Sequence, residues 1–383
     1  MKGLVTLKIC LISWDKEAQL TYEKLKKFYQ IEYVIERDDA LWGSTPDGLQ
    51  IISFSKAYHL FQEKQFDIFL IPAMRGINVN TGIFMRLRRN GIPAEKIWYA
   101  PLNLWNTTGS ETSQKTIYPF EERRELDYVA LHITDHCNLN CAYCSVFCGL
   151  VDKPSFPDNE RTFNGIALLR KIYDQVLVFR ILGGEPLLND EWLKIALYIR
   201  ELFPFADVEV VTNGLKILQI SDADLSLMSD NRISFDISYY PIIGEKIDDI
   251  HKKLNEYNVV HYITQENEFF SRLYCFSHPG NSDHNYQVCK MKFMCLNMYE
   301  DRLAVCHALI GLERAREFIA PEIADKIQGC WVDLTTKGLD APQILKLLDR
   351  PMPICQYCVQ ELAMWHPLSG SNNIHRPENW SII

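Results

Sequence analysis

Between residues 1 and 120, continuous apolar runs alternate with apolar residues at helical spacing. Residues 4–13 form a β-type run, and 17–29 set Leu20, Leu25 and Phe28 on one helical stripe. A strand pattern follows at 31–35 and another at 49–54, then a helix over 56–65 and a strand over 67–72. A helix over 81–90 and a strand over 96–99 complete the series. Strands alternating with helices imply a parallel sheet covered on both faces. The polar, turn-rich stretch 106–114 reads as a linker.

The alternation then resumes. Strands are expected at 126–134, 176–182, 207–211, 232–239 and 259–264, with helices at 163–175, 190–201 and 244–257. Residues 296–304 have the pattern of a β-hairpin, and 342–348 that of a helix. The fold class is therefore α/β. Three domains are expected: 1–120, a Rossmann-like parallel sheet; 121–280, a partial (β/α) barrel; and 281–383, a cysteine-rich extension with a tail.

A chain of 383 residues with 47% hydrophobic residues can supply more than one core. The net charge of −9 leaves no basic stripe for nucleic-acid phosphates. No segment approaches the apolar length of a membrane span, and the first residues lack the pattern of a signal peptide. Twelve cysteines in a chain expected to be cytoplasmic point to metal before a disulfide framework.

Cys137, Cys141 and Cys144 are spaced Cys-x3-Cys-x2-Cys at the C-terminal end of the 126–134 strand. Soft thiolates select iron–sulfur clusters or zinc. Zinc sites pair Cys-x2-Cys with a second pair, and none follows within about 20 residues. A four-iron cube held by three cysteines keeps one iron open to a small molecule. About forty residues on, Gly183-Gly184-Glu185-Pro186 follows the next strand, and further strands end in Thr212-Asn213-Gly214 and carry Ser234-Phe235-Asp236.

Together these motifs resemble the radical S-adenosylmethionine (radical SAM) enzymes, over roughly residues 125–360. The resemblance implies a partial (β/α)6 barrel with a SAM-binding 4Fe–4S cluster on Cys137, Cys141 and Cys144. It places Tyr143, Gly183, Gly184, Glu185, Pro186, Thr212, Asn213, Ser234 and Asp236 around S-adenosylmethionine, with the Gly-Gly backbone and Glu185 toward its ammonium group. Functional groups of such barrels gather at the strands' C-terminal ends.

Cys289, Cys295, Cys306, Cys330, Cys355 and Cys358 crowd the last hundred residues. A Cys-x2-Cys pair and a hairpin with cysteines at its feet can each clip one corner of a metal site. This arrangement resembles the one-cluster (twitch or SPASM-like) auxiliary extension of radical SAM enzymes. It implies a second 4Fe–4S cluster on Cys289, Cys306, Cys355 and Cys358, with Cys295 contending for the place of Cys289. Asp301 stands where the family pattern has a glycine.

Residues 1–120 resemble the small Rossmann-like domain of surface-glycan biosynthesis proteins. The first strand here runs into Ile12-Ser13-Trp14-Asp15-Lys16, without a glycine for close approach to a pyrophosphate. A docking or packing role is therefore expected over substrate recruitment. The resemblances together imply an oxidoreductase or epimerase acting on a carbinol C–H of a sugar, sugar nucleotide or cyclitol. Flavodoxin or ferredoxin would supply the electron. Cys148 and Cys295 are the candidate hydrogen donors for inversion. A peptide-modifying maturase and a non-enzymatic electron-transfer protein are the alternatives.

Overall fold

The computed structural model describes residues 7–44, 48–75, 79–102, 117–139, 141, 144–151, 153–265, 268–271, 274–289, 296–315, 319–359 and 361–364. The linker expected at 106–114 lies outside them. The chain divides into two compact units, residues 1–127 and 128–383.

The first unit contains β1 (Lys8–Ile12), α1 (Lys16–Leu25), β2 (Gln30–Ile35), β3 (Gly43–Ser44), β4 (Gln50–Ile52), α2 (Phe54–Gln62), β5 (Ile68–Pro72), α3 (Val79–Arg89), β6 (Ile97–Ala100) and β7 (Tyr118–Pro119). Its sheet order is β3-β4-β2-β1-β5-β6-β7. The pairs β4–β2, β2–β1, β1–β5 and β5–β6 are parallel, and the edge pairs β3–β4 and β6–β7 are antiparallel. Every residue of β5 is buried, as a strand covered on both faces requires. Ala18, Tyr22 and Leu25 recur on one face of α1 and join the core of Ile9, Leu11 and Leu70.

Two local details depart from the sequence reading. The strand expected over 49–54 ends at Ile52, because Ser53 caps α2 by accepting the Lys56 N–H. In the turn after β1, Ser13 adopts φ +67°, the left-handed conformation that glycine would supply. The neighbouring Trp14 N–H is already donated to a Glu36 carboxylate oxygen at 3.0 Å.

The second unit begins within β8 (Glu125–His132). It continues with α4 (Asn159–Ile172), β9 (Gln175–Leu182), α5 (Trp192–Leu202), β10 (Asp207–Thr212), α6 (Asp222–Asp230), β11 (Ile233–Tyr239), α7 (Ile247–Glu256) and β12 (His261–Gln265). After β13 (Glu268–Ser271) come α8 (Ser282–Val288), the hairpin β14 (Asn297–Tyr299) and β15 (Arg302–Ala304), then α9 (Ala308–Arg314). The last elements are α10 (Pro321–Gln328), β16 (Val332–Asp333), α11 (Ala341–Leu348) and β17 (Glu361–Met364). Eight strands form one sheet in the order β12-β11-β10-β9-β8-β14-β15-β16. Strands β9 to β12 are mutually parallel, and β14 runs parallel to β8. The fold is mixed α/β with parallel sheets. The helix expected over 244–257 begins as a 3₁₀ turn, Pro241–Lys246, and becomes α-helical at Ile247.

The hairpin settles what Asp301 does in place of glycine. The left-handed residue of this turn is Glu300, at φ +56°. Asp301 is free to accept from Arg161 Nη2 of α4 at 2.6 Å, and Arg161 also pairs with Glu300. Gly165 lets α4 lie against the turn, since a Cβ there would stand 2.5 Å from the Met298 side chain and 2.9 Å from the Asp301 backbone.

Candidate active site

Strand β8 builds one wall of the site. Its alternate residues Tyr128, Ala130 and His132 line a cavity of about 440 Å³, as the period-two geometry of a strand dictates. The chain leaving β8 brings Cys137, Cys141 and Cys144 to the same cavity, and Cys148 lines it too. Tyr143 and Cys295 lie outside the described residues. Leu139 N–H donates to Cys137 Sγ at 3.3 Å, and the Asn213 amide approaches the same sulfur at 3.7 Å. The Cys144 thiol is brought down to about 6, first by a hydrogen bond from Cys148, then by backbone N–H groups and Arg314. Burial raises the Cys137 thiol.

The sequence reading gave the Gly-Gly turn to the ammonium group of S-adenosylmethionine. Here both glycines line the cavity, and their missing side chains also make room for the cysteine segment itself. A Cβ on Gly183 would stand 2.5 Å from the Thr134 carbonyl oxygen and 2.8 Å from its nitrogen, and one on Gly184 would overlap the His136 carbonyl. Gly184 N–H donates to Thr134 O at 2.9 Å and Glu185 N–H to His136 O at 3.0 Å. The turn and the cysteine segment thus form one backbone-bonded unit. Pro186 is buried and opens the short 3₁₀ turn that follows.

The resemblance turns Glu185 toward the ammonium group of S-adenosylmethionine. The Glu185 carboxylate is wholly buried and is not among the residues lining the cavity. It accepts from Thr212 Oγ1 at 2.7 Å, Asn213 N–H at 2.9 Å and Leu187 N–H at 3.1 Å, locking the end of β10 to the Gly-Gly turn. Burial pushes its carboxyl up to about 7, against the pull of those donors. Thr212 and Asn213 line the cavity.

On β11, Ser234, Asp236 and Ser238 alternate on one face, and of the three Ser238 lines the cavity. Ser234 Oγ faces the Val208 carbonyl at 3.4 Å. Asp236 pairs with Arg180 of β9 and accepts from Thr264 Oγ1 at 2.8 Å. Arg180, which also pairs with Glu209 at 3.3 Å, is the residue of this group that reaches the cavity.

Arg314, at the end of α9, escaped sequence reasoning because its partners lie far away in the chain. Its guanidinium donates to Asp135 Oδ1 at 2.6 Å and to the Val146 carbonyl, one on each side of the three cysteines. Tyr299 Oη and Ser155 Oγ also donate to Asp135, at 3.1 Å each. Gly311 allows the close approach of α9, since a Cβ there would stand 2.8 Å from the Phe147 ring. His307 and Asn297, further cavity residues contributed by the tail, carried no sequence signal either.

A second cavity lies in the tail. Cys289, Cys306, Cys355 and Cys358 all line it, with Tyr274, Tyr286 and Ile354 around them. Asn285 of α8 holds the Cys355–Cys358 turn by donating to the Cys355 carbonyl at 2.8 Å, which also carries Cys289 toward it. Tyr274 Oη stands 3.4 Å from Cys306 Sγ. Cys330 is not among the lining residues; its thiol faces the Lys326 carbonyl at 3.2 Å, and burial pushes it up to about 12. The Cys137, Cys141 and Cys144 thiols on one cavity, beside Cys148, and the four thiols on the other are soft donor sets of the kind that an iron–sulfur cube takes, a three-thiol set leaving one iron open. Among the described residues no three His, Cys, Asp or Glu side chains stand close enough to hold one metal ion, and no helix is long and apolar enough to cross a membrane.

Residues 131–260 match the model of the radical SAM superfamily. The GTP 3',8-cyclase of Limosilactobacillus fermentum is 41% identical over 104 residues, 26% of this chain and 30% of the relative. That of Clostridium acetobutylicum is 33% identical over 101 residues, again 26% and 30%. The chain thus spans about 30% of the length of these curated relatives. Among solved structures, BtrN in complex with AdoMet and 2-DOIA is similar at 11% identity, 67% of this chain, 97% of that chain and TM-score 0.38. Streptococcus suis SuiB bound to S-adenosylmethionine gives 16%, 37%, 34% and 0.30. A cysteine triad, a Gly-Gly turn and a row of parallel strand ends around one cavity, within a segment matching that model, identify the chain as carrying a domain of the radical SAM superfamily.

Proposed function

We propose that this radical SAM enzyme takes a hydrogen atom from a carbinol carbon of a small sugar or cyclitol and oxidises that carbon to a ketone. A 4Fe–4S cluster with S-adenosylmethionine supplies, on one-electron reduction, a radical able to take hydrogen from an unactivated C–H bond. Cys137, Cys141 and Cys144 would hold it, with Gly183, Gly184, Thr212 and Asn213 around the nucleoside-bearing ligand. A flavodoxin or ferredoxin would deliver the electron.

The observation that carries the oxidative reading is the adjacency of the two cavities. Cys306 lines the four-thiol cavity, and the next residue, His307, lines the reaction cavity. Removing a hydrogen atom from a carbinol leaves one electron and one proton to be taken away. Cys289, Cys306, Cys355 and Cys358 would hold a second cluster able to take up that electron, and Cys306 is the sequence neighbour of the chamber-lining His307. Inversion is the second reading, supported by Cys148 on the reaction cavity. Its thiol is engaged by Cys144 and Arg314, which favours oxidation.

Cyclisation of GTP, the reaction in the names of the curated relatives, finds less support. Arg180 is the one charged side chain among the described residues lining the cavity, and it is already paired with Glu209 and Asp236. A triphosphate needs several uncommitted cations. A peptide substrate is disfavoured by a parallel α/β first unit in place of a small leader-binding module.

The test is anaerobic turnover of the reconstituted protein with reductant and carbon-deuterated sugars and cyclitols. Deuterium should appear in deoxyadenosine and the product should be a ketone. One solvent deuteron on the product carbon would establish inversion. Deuterium transfer from a peptide or from GTP alone would overturn the carbinol reading.

A further inference from the structure

His132 is buried on β8, 1% exposed, and lines the reaction cavity. Its Nε2 stands 3.2 Å from Asn297 Oδ1 on the neighbouring strand β14. An amide oxygen only accepts, so Nε2 carries the hydrogen. Burial brings the imidazole down to about 3, which keeps the ring neutral. In a neutral ring protonated at Nε2, the Nδ1 lone pair is an acceptor. That nitrogen is buried and has no hydrogen-bond partner among the described residues. His307 brings a second such Nδ1 to the same cavity from the tail. A native structure does not leave buried polar nitrogens idle without reason.

We propose that His132 Nδ1 accepts a hydrogen bond from a substrate hydroxyl, and that the cavity takes a neutral, polyhydroxylated ring. This rests on the reading of the cavity as the reaction chamber. The exclusions come from the lining. A lone pair repels the oxygens of a carboxylate or phosphate, and Arg180 is committed to two carboxylates of its own. No Asp or Glu lines the cavity among the described residues, so a substrate ammonium would find no counter-charge. A hydroxyl donates without bringing charge. Asn297 acts through the ring as a positioning residue, fixing which nitrogen faces the substrate.

Two substitutions separate acceptor from scaffold. His132→Gln keeps a donor toward Asn297 and removes the acceptor; His132→Asn keeps an acceptor near the Nδ1 position and gives up the Asn297 contact. Binding of myo-inositol and of D-glucose to the SAM-loaded, cluster-reconstituted protein is measured by saturation-transfer NMR, with GTP as competitor. Iron per chain and circular dichroism report folding. The wild type should bind at least one polyol at millimolar concentration, and GTP should not displace it. His132→Gln should weaken that binding about tenfold, with His132→Asn within about threefold of wild type. No polyol binding by wild type, displacement by GTP, or equal effects of the two variants would each overturn the proposal. Wild-type protein that forms no deoxyadenosine from S-adenosylmethionine would instead sink the underlying radical SAM chamber, so the two failures are told apart.

Discussion

Replacing Gly183 by alanine tests whether the Gly-Gly turn exists to hold the cysteine segment. The added Cβ would meet the Thr134 carbonyl oxygen at 2.5 Å and the Thr134 nitrogen at 2.8 Å. Ordinary contact starts at 3.4 Å, so the backbone around Thr134 must move by 0.9 Å, the difference between 3.4 and 2.5. Backbone cannot rotate away as a side chain can. Overpacking of this kind costs about 1–3 kcal/mol. Gly183 also sits at φ +156°, which L-residues rarely adopt, adding about 1–3 kcal/mol. The sum, about 2–6 kcal/mol, is a large share of a domain's stability of about 5–15 kcal/mol. The cheapest relief is a shift of the segment that carries Cys137, breaking the Gly184 N–H bond to Thr134. Iron analysis with Mössbauer spectroscopy should then show loss of the iron held by Cys137, Cys141 and Cys144, with any iron on the tail cysteines kept. Melting of the apo protein should fall by on the order of 10 °C. Wild-type iron and an unchanged melting temperature would refute the reasoning.

Arg314→Ala should cost about 3–5 kcal/mol by leaving Asp135 buried without its cation, and should empty the first cluster site; Arg314→Lys should retain part of both, read by denaturant melts and iron content. If the tail holds a second cube, intact protein should carry about eight irons, and the Cys137, Cys141, Cys144 triple alanine variant about four. Cys355→Ala should cost the tail cluster, whereas Cys330→Ala should leave metal content unchanged. Gly165→Ala should destabilise by about 1–3 kcal/mol, since the Met298 methyl and the hairpin turn must both yield, and a denaturation curve matching wild type would show the α4 contact to be loose.

The parts of the fold visible in the sequence are those fixed by local pattern. The strand of Ile68–Pro72, apolar throughout, and the Cys-x3-Cys-x2-Cys segment need no distant partner to be recognised. Helix α6 was missed because it buries only Leu225 and Met228, too few to make a stripe, although Ser221 caps it. Helices α8, α9 and α10 were missed for the same want of length, the longest having eight residues. Arg314 and Asp135 are 179 residues apart, and no spacing rule links them. The alternation Tyr128, Ala130, His132 did hold a signal: a polar residue on the inward face of a strand leading into the cysteines. Asp301 stands where the family pattern has a glycine, yet the left-handed residue of the turn is Glu300, which no spacing in the sequence marks.

The pairing of β14 with β8 limits how this protein can be divided. Asn297, Met298 and Tyr299 occupy the register positions opposite Ala130, Leu131 and His132, the stretch of β8 that leads to the cysteines. A version cut off before the hairpin would lay bare the side of a strand whose residues are all buried. Such an unpaired strand, stripped of its neighbour, recruits other chains into intermolecular sheets. The tail is therefore no detachable accessory. Attempts to express residues 121–280 alone should yield insoluble material, and grafting the tail onto a different barrel would require that barrel to offer a matching open strand.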